Sequence, residues 1–78
     1  MRTFQDVIAA FGGLSAFAHA MSLNQSTASE MKRRNSIPPE HWGHLIAVAS
    51  ERGITLTFAN LARMAELRAA ERKRRKAA

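Results

Sequence analysis

A chain of 78 residues has room for one small domain, which buries only about 60–65% of the surface its unfolded form exposes, so its own core is marginal. With no cysteine, neither disulfides nor thiolate-bound metals can support that core; pairing with a second copy is the ready alternative, and a reducing cytoplasm is the compartment that fits. The formal net charge of +6 is unevenly spread: residues 1–71 carry seven basic and six acidic side chains, and Arg72, Lys73, Arg74, Arg75 and Lys76 supply the rest, a pattern that points to a polyanionic partner, nucleic acid before membrane.

The N-terminal stretch MRTFQDVIAAFGG is too short, and too interrupted by Gln5 and Asp6, to be the apolar segment of a signal peptide. No run of about 18 apolar residues exists to span a membrane, and a soluble protein is expected. Phe4, Val7, Ile8 and Phe11 recur at i, i+3, i+4 and i+7, which predicts an amphipathic helix from Arg2 or Thr3 to Ala10. Thr3 can cap it with Asp6 as the acidic partner three residues on, and Gly12-Gly13 ends it. A second helix runs from Leu14 or Ser15 to Met21, burying Leu14, Phe17, Ala18 and Met21 and leaving His19 in solvent.

The spacing across residues 14–34 is that of two helices joined by a tight turn. Ala18 is small enough for a helix crossing, Ser22 can make the turn, Leu23 is its buried residue, and Ala28 with Met31 forms the inner side of a third helix. Asn24 stands where an N-cap is wanted, with a side-chain oxygen able to accept a first-turn amide. At about 100° per residue, Gln25, Ser26, Ser29, Lys32 and Arg33 share roughly one third of the helix circumference, away from Ala28 and Met31. Glutamine can pair with adenine through two hydrogen bonds, serine with several base edges, and arginine or lysine with guanine or phosphate. Gln25, Ser26, Ser29 and Arg33 are therefore the candidate base readers, and Asn24, Thr27, Lys32, Arg34, Asn35 and Ser36 the candidate contacts to the phosphate backbone. Alone, the same segment would read as a solvated helix ending in a basic cluster, with Glu30 pairing to Arg33 or Arg34.

Asn35-Ser36-Ile37-Pro38-Pro39 breaks the helix, because each proline restricts the residue before it. A fourth helix follows from Pro38 or Pro39 to Glu51, stopping at Gly53, with Trp42, Leu45, Ile46 and Ala49 as its buried stripe and Trp42 as the anchor of the core. His41 and His44 are three apart but lack further ligands beyond Glu40, so no metal is expected. Thr57 caps a last helix over residues 57–71, with Leu56 and Leu61 as a hydrophobic staple. Phe58, Leu61, Met64 and Leu67 recur every third residue and so drift about 60° per step around that helix. Phe58 and Leu61 are expected to close the core, and Met64 and Leu67 to meet a second copy. Residues 72–78 form a basic tail, able to extend the helix and to anchor the chain on DNA without regard to sequence.

The segment GGLSAFAHAMSLNQSTASEMKRRNSIPPEHWGHLIAVASERG resembles the small Cro-like and lambda-repressor-like regulators of phages and bacterial mobile elements. The resemblance rests on Gly12-Gly13, Ala16, Ala18, Leu23, Ser26, Ser29, Lys32-Arg33, Ile37-Pro38 and His41-Trp42, and extends over about residues 4–68. It implies an all-α, compact four- to five-helix domain with a central helix-turn-helix, a dimer on a two-fold operator, and control of transcription, usually repression. Ser22 replaces the glycine favoured in the turn, and Met31 stands where the short subgroup sharing these marks often has tryptophan.

The leading expectation is a sequence-specific double-stranded DNA-binding repressor, a homodimer on an inverted repeat, needing no cofactor and no small-molecule ligand. An alternative is a helical protein–protein adaptor whose basic tail attracts nucleic acid. An enzyme is not expected, since no nucleophile–base pair, glycine-rich phosphate loop or paired acid cluster is present.

Overall fold

The computed structural model describes residues 1–77, with side chains through Arg74, so the tail residues Arg75 and Lys76 lie outside the side chains described. The chain is all-α. Its helices are α1 (Phe4–Ala10), α2 (Leu14–Met21), α3 (Gln25–Arg34), α4 (Trp42–Glu51) and α5 (Phe58–Ala77), with one 3-10 turn at Pro39–His41 leading into α4.

Two of the helices begin with reciprocal caps. Thr3 Oγ1 accepts from the Asp6 amide at 3.1 Å, and the Asp6 carboxylate accepts from the amides of Thr3 (3.2 Å) and Arg2 (2.9 Å). Those amides hold the Asp6 carboxyl below its usual range, Arg2 contributing most. Before α5 the same box is built with an amide: Thr57 Oγ1 accepts from the Asn60 N–H at 3.1 Å, and Asn60 Oδ1 accepts from the Thr57 N–H at 3.2 Å. Leu56 and Leu61, on either side of that cap, are both buried.

The four helices before α5 end alike. Each passes into a residue of positive φ: Gly12, Ser22, Asn35 and Gly53. The amide of the next residue then reaches back to a carbonyl five earlier, as in Leu23 N–H to Ala18 O at 2.9 Å and Ile54 N–H to Ala49 O at 2.8 Å. This closure satisfies carbonyls that would otherwise be orphaned and reverses the chain sharply enough for short helices to pack.

Phe4, Val7, Ile8, Phe17, Ile37, Leu45 and Leu61 are the fully buried centre of the core, joined by Phe11, Ala18, Met21, Ala28, Met31, Val48, Ala49, Leu56 and Met64. Phe11 meets Phe17 edge-on at 5.5 Å, and the Arg52 guanidinium covers the outer face of Phe11. Three expectations need correcting. Trp42 is half-buried at the core margin, stacked on Phe4 at 6.5 Å with its Nε1–H donated to Ile37 O at 2.8 Å, while Val48 takes the buried place on α4. Phe58 is 60% exposed and does not close the core, whereas Leu56 in the preceding connector is buried in it. Met64, expected at a dimer interface, is 4% exposed and belongs to the domain's own core; Leu67 remains on the outside. The core-facing stripe of α5 is Leu61, Met64, Ala65 and Arg68, a regular i, i+3, i+4, i+7 set.

Candidate nucleic-acid interface

The candidate interface lies on α2 and α3, the helix pair with the most extensive mutual contact among the described residues. Ser22 makes the turn between them with φ 55° and ψ 41°, and Leu23 is half-buried against the core. On α3, Ala28 and Met31 are buried, whereas Gln25, Ser26, Thr27, Ser29, Lys32, Arg33 and Arg34 are exposed. The division follows from side-chain size and polarity. Alanine at position 28 lets the helix approach closely, Met31 fills the space one turn on, and hydrated side chains remain outside.

The first base-reading candidate is held in place. Gln25 Nε2 donates to Ser15 Oγ on α2 at 3.1 Å. A carboxamide has two N–H donors and a carbonyl acceptor. That bond therefore leaves one donor and the acceptor for an adenine edge, which requires one of each. Asn24 occupies the N-cap position of α3 with extended backbone, yet its side chain makes no capping bond and is exposed instead. This departs from the expected cap. The first turn of α3 is entered without side-chain help, and Asn24 remains on the surface beside Gln25.

The other end of α3 is electrostatically more complex. Arg33 Nη2 bonds both oxygens of Glu30 at 2.6 Å, and Arg34 Nε bonds Glu30 Oε1 at 2.6 Å. These bonds, Arg33 first, hold the Glu30 carboxyl below its ordinary range and raise the Arg33 guanidinium. Both arginine side chains are largely exposed, at 73% and 67%, so water and salt screen the pairs and a polyanion can compete for either guanidinium. Arg33 is thus held by a carboxylate, which any other anion at this edge would have to displace. Lys32 extends from the same edge.

Asn35 has a second role that its sequence position did not disclose. It takes the left-handed conformation that closes α3, and its Oδ1 accepts from the Gln5 amide at 3.1 Å. Gln5 Nε2 in turn donates to Lys32 O at 2.9 Å, and Arg68 Nε donates to Arg34 O at 3.0 Å. The acceptor of Asn35 is therefore committed to the fold, and only its N–H groups can serve a phosphate. Ser36 is half-buried. Sequence reasoning overlooked Ser15, Gln5 and Arg68; only Arg68 carried a signal, its register with Leu61 and Met64.

On α5, Arg72, Lys73 and Arg74 are exposed and helical, so the basic segment continues the helix with no break after Glu71. His41 is half-buried with Nε2 3.9 Å from Glu40 Oε1, and His19 and His44 are exposed. Among the described residues no group of three His, Cys, Asp or Glu side chains could hold a metal, and no helix is long and apolar enough to cross a membrane. Comparison with protein-family models, with curated proteins and with solved structures finds no match to this chain.

Proposed function

We propose that this chain is a sequence-specific duplex-DNA-binding regulator of transcription, acting as a homodimer in a bacterial cytoplasm. The observation that carries the reading is the two-sidedness of α3: Ala28 and Met31 are sealed into the core while an edge of amide, hydroxyl and cation stands in solvent. An α-helix of that kind fits the major groove. Gln25, Ser26 and Ser29 read base edges. Arg33, released from Glu30, works at the boundary between base and backbone, and Asn24, Thr27, Lys32, Arg34 and Ser36 hold phosphates, with the donors of Asn35 beside them.

Two copies of α3 would enter successive major grooves about 34–36 Å apart on an inverted repeat. The second copy would sit on α5, where Leu67 is 44% exposed and borders, with Met1, a groove that also includes Asn60 and Arg63. The simplest mode of action is steric: a bound dimer occupies a promoter and blocks polymerase.

Selection of bound fragments from random duplex DNA tests this directly, with an inverted repeat as the expected product. Gln25→Ala should then weaken binding to the selected site by about 1–3 kcal/mol and leave random DNA almost unaffected. No enriched sequence, or an equal loss on both substrates, would overturn the base-reading role. Sedimentation at micromolar concentration tests the dimer independently, and a clean monomer both free and on DNA would remove it.

A further inference from the structure

The C-terminal end of α3, the N-terminal end of α1 and the middle of α5 enclose a cleft of about 460 Å³. Its walls include Arg33, Arg34, Asn35, Arg68, Glu71 and Arg72. Four guanidinium groups stand there against the carboxylates of Glu71 and of Glu30, which pairs with Arg33 and Arg34, leaving an excess of two positive charges. Arg68 and Arg72 are four apart on α5 and so share a face. Arg68 spends its Nε–H on the Arg34 carbonyl, and the four N–H bonds at its two Nη atoms are those left to a guanidinium.

The geometry points to this cleft as a seat for one backbone phosphodiester of the same duplex whose groove α3 enters, an inference that rests on the function proposed above. The chemistry is that of an oxyanion with two non-bridging oxygens meeting forked N–H donors. The link to the duplex is Arg33, which belongs both to the exposed edge of α3 and to the cleft wall. The link to α5 is the Arg68–Arg34 bond, which sets the basic segment in register with the end of α3. Arg72 is therefore a positioned phosphate contact, distinct from a diffuse electrostatic anchor. Lys73, next on the same helix, is exposed and lines neither this cleft nor the groove beside Leu67 and Met1, and so gives a control of equal charge.

The experiment compares Arg72→Ala with Lys73→Ala on the selected duplex, by affinity against salt concentration and by phosphate-ethylation interference. Arg72→Ala is expected to flatten the slope of log K against log salt by about 0.9 for each bound protomer and to abolish interference at one phosphate per half-site. Lys73→Ala leaves that footprint intact. Identical footprints and slopes for the two variants overturn the cleft assignment while leaving base reading by α3 standing. Failure of the wild-type chain to bind any duplex overturns the proposed function and this extension together. Shifts of the Arg68 and Arg72 Nε–H resonances with inorganic pyrophosphate, in a chain that binds no duplex, would reassign the cleft to a soluble phosphate and likewise overturn it.

Discussion

Replacing Ser22 by glycine should stabilise the domain, and the reason lies in one pair of dihedral angles. Ser22 sits at φ 55° and ψ 41°, its amide bonded to His19 O at 3.2 Å and the following amide to Ala18 O at 2.9 Å. The left-handed conformation costs an L-residue about 1–2 kcal/mol because Cβ crowds the next carbonyl. Glycine avoids that cost but returns about 0.5–1 kcal/mol through the greater freedom of its unfolded chain. Ser22 is exposed, so its hydroxyl takes no core contact with it, and the net gain is about 0.5–1 kcal/mol, or about 2–8 °C in midpoint for a chain of this size. Ser22→Ala should be less stable than wild type, since alanine keeps the Cβ and loses the short polar group that tolerates this conformation. Thermal and urea unfolding followed by circular dichroism at 222 nm gives the order glycine, serine, alanine. A continuous helix through position 22 demands the opposite order, because alanine is the better helix former by about 1 kcal/mol. Observing alanine most stable and glycine least would refute the turn.

Other expectations follow from the same contacts. Met64→Ala should cost about 2–5 kcal/mol of stability and Phe58→Ser less than about 0.5 kcal/mol, since Met64 is 4% and Phe58 60% exposed; denaturant midpoints in the reverse order would refute the assigned face of α5. Asp6 and Glu30 both have carboxyl pKa values lowered by folding. Their contribution is therefore complete above the unfolded values near about pH 4 and lost as pH falls through the lower folded ones. Urea midpoints should decline below about pH 4, and Asp6→Asn should remove part of that acid dependence. Glu30→Gln releases Arg33 and Arg34 from a carboxylate that bonds both, so binding to selected and random duplexes should tighten alike in filter-binding or anisotropy assays. Tightening on the selected site alone would mean that Glu30 itself reads a base.

The parts of this fold that could be read from the chain are those governed by short-range repetition. The i, i+3, i+4, i+7 set Phe4, Val7, Ile8 and Phe11 became a buried stripe, and Thr3 with Asp6 became a capping box, because both depend on neighbours within two helical turns. The third helix was legible for the same reason: Ala28 and Met31 are three apart, and the polar residues fall on the remaining arc. The last helix was misread where two registers compete. Phe58, Leu61, Met64 and Leu67 attract attention by hydropathy, but the inward face also includes Ala65, a small side chain packed on the core, and Arg68, a half-buried charged one whose Nε–H is donated to Arg34 O. Trp42 was misplaced differently: its indole N–H needs an acceptor, and Ile37 O supplies one at the margin of the core, which holds the ring there.

What no periodicity could have disclosed is how α3 is held. Gln5 reaches Lys32 O across 27 residues and Arg68 reaches Arg34 O across 34, and polar bonds between distant positions leave no pattern in a single chain. Together with Gln25 on Ser15 they fasten both ends of α3, one to α2 and the other to α1 and α5. The buried Ala28 and Met31 fix its back. A helix secured at three places presents its outer edge with little conformational freedom left to lose on binding, so the contacts it makes are less offset by ordering. Arg33 is the exception, because a salt-screened carboxylate holds it rather than the core. On the proposed function the discriminating groups should accordingly be Gln25, Ser26 and Ser29 on the rigid part. Arg33 and its basic neighbours are suited to the phosphates, where a mobile cation loses little by adjusting its position.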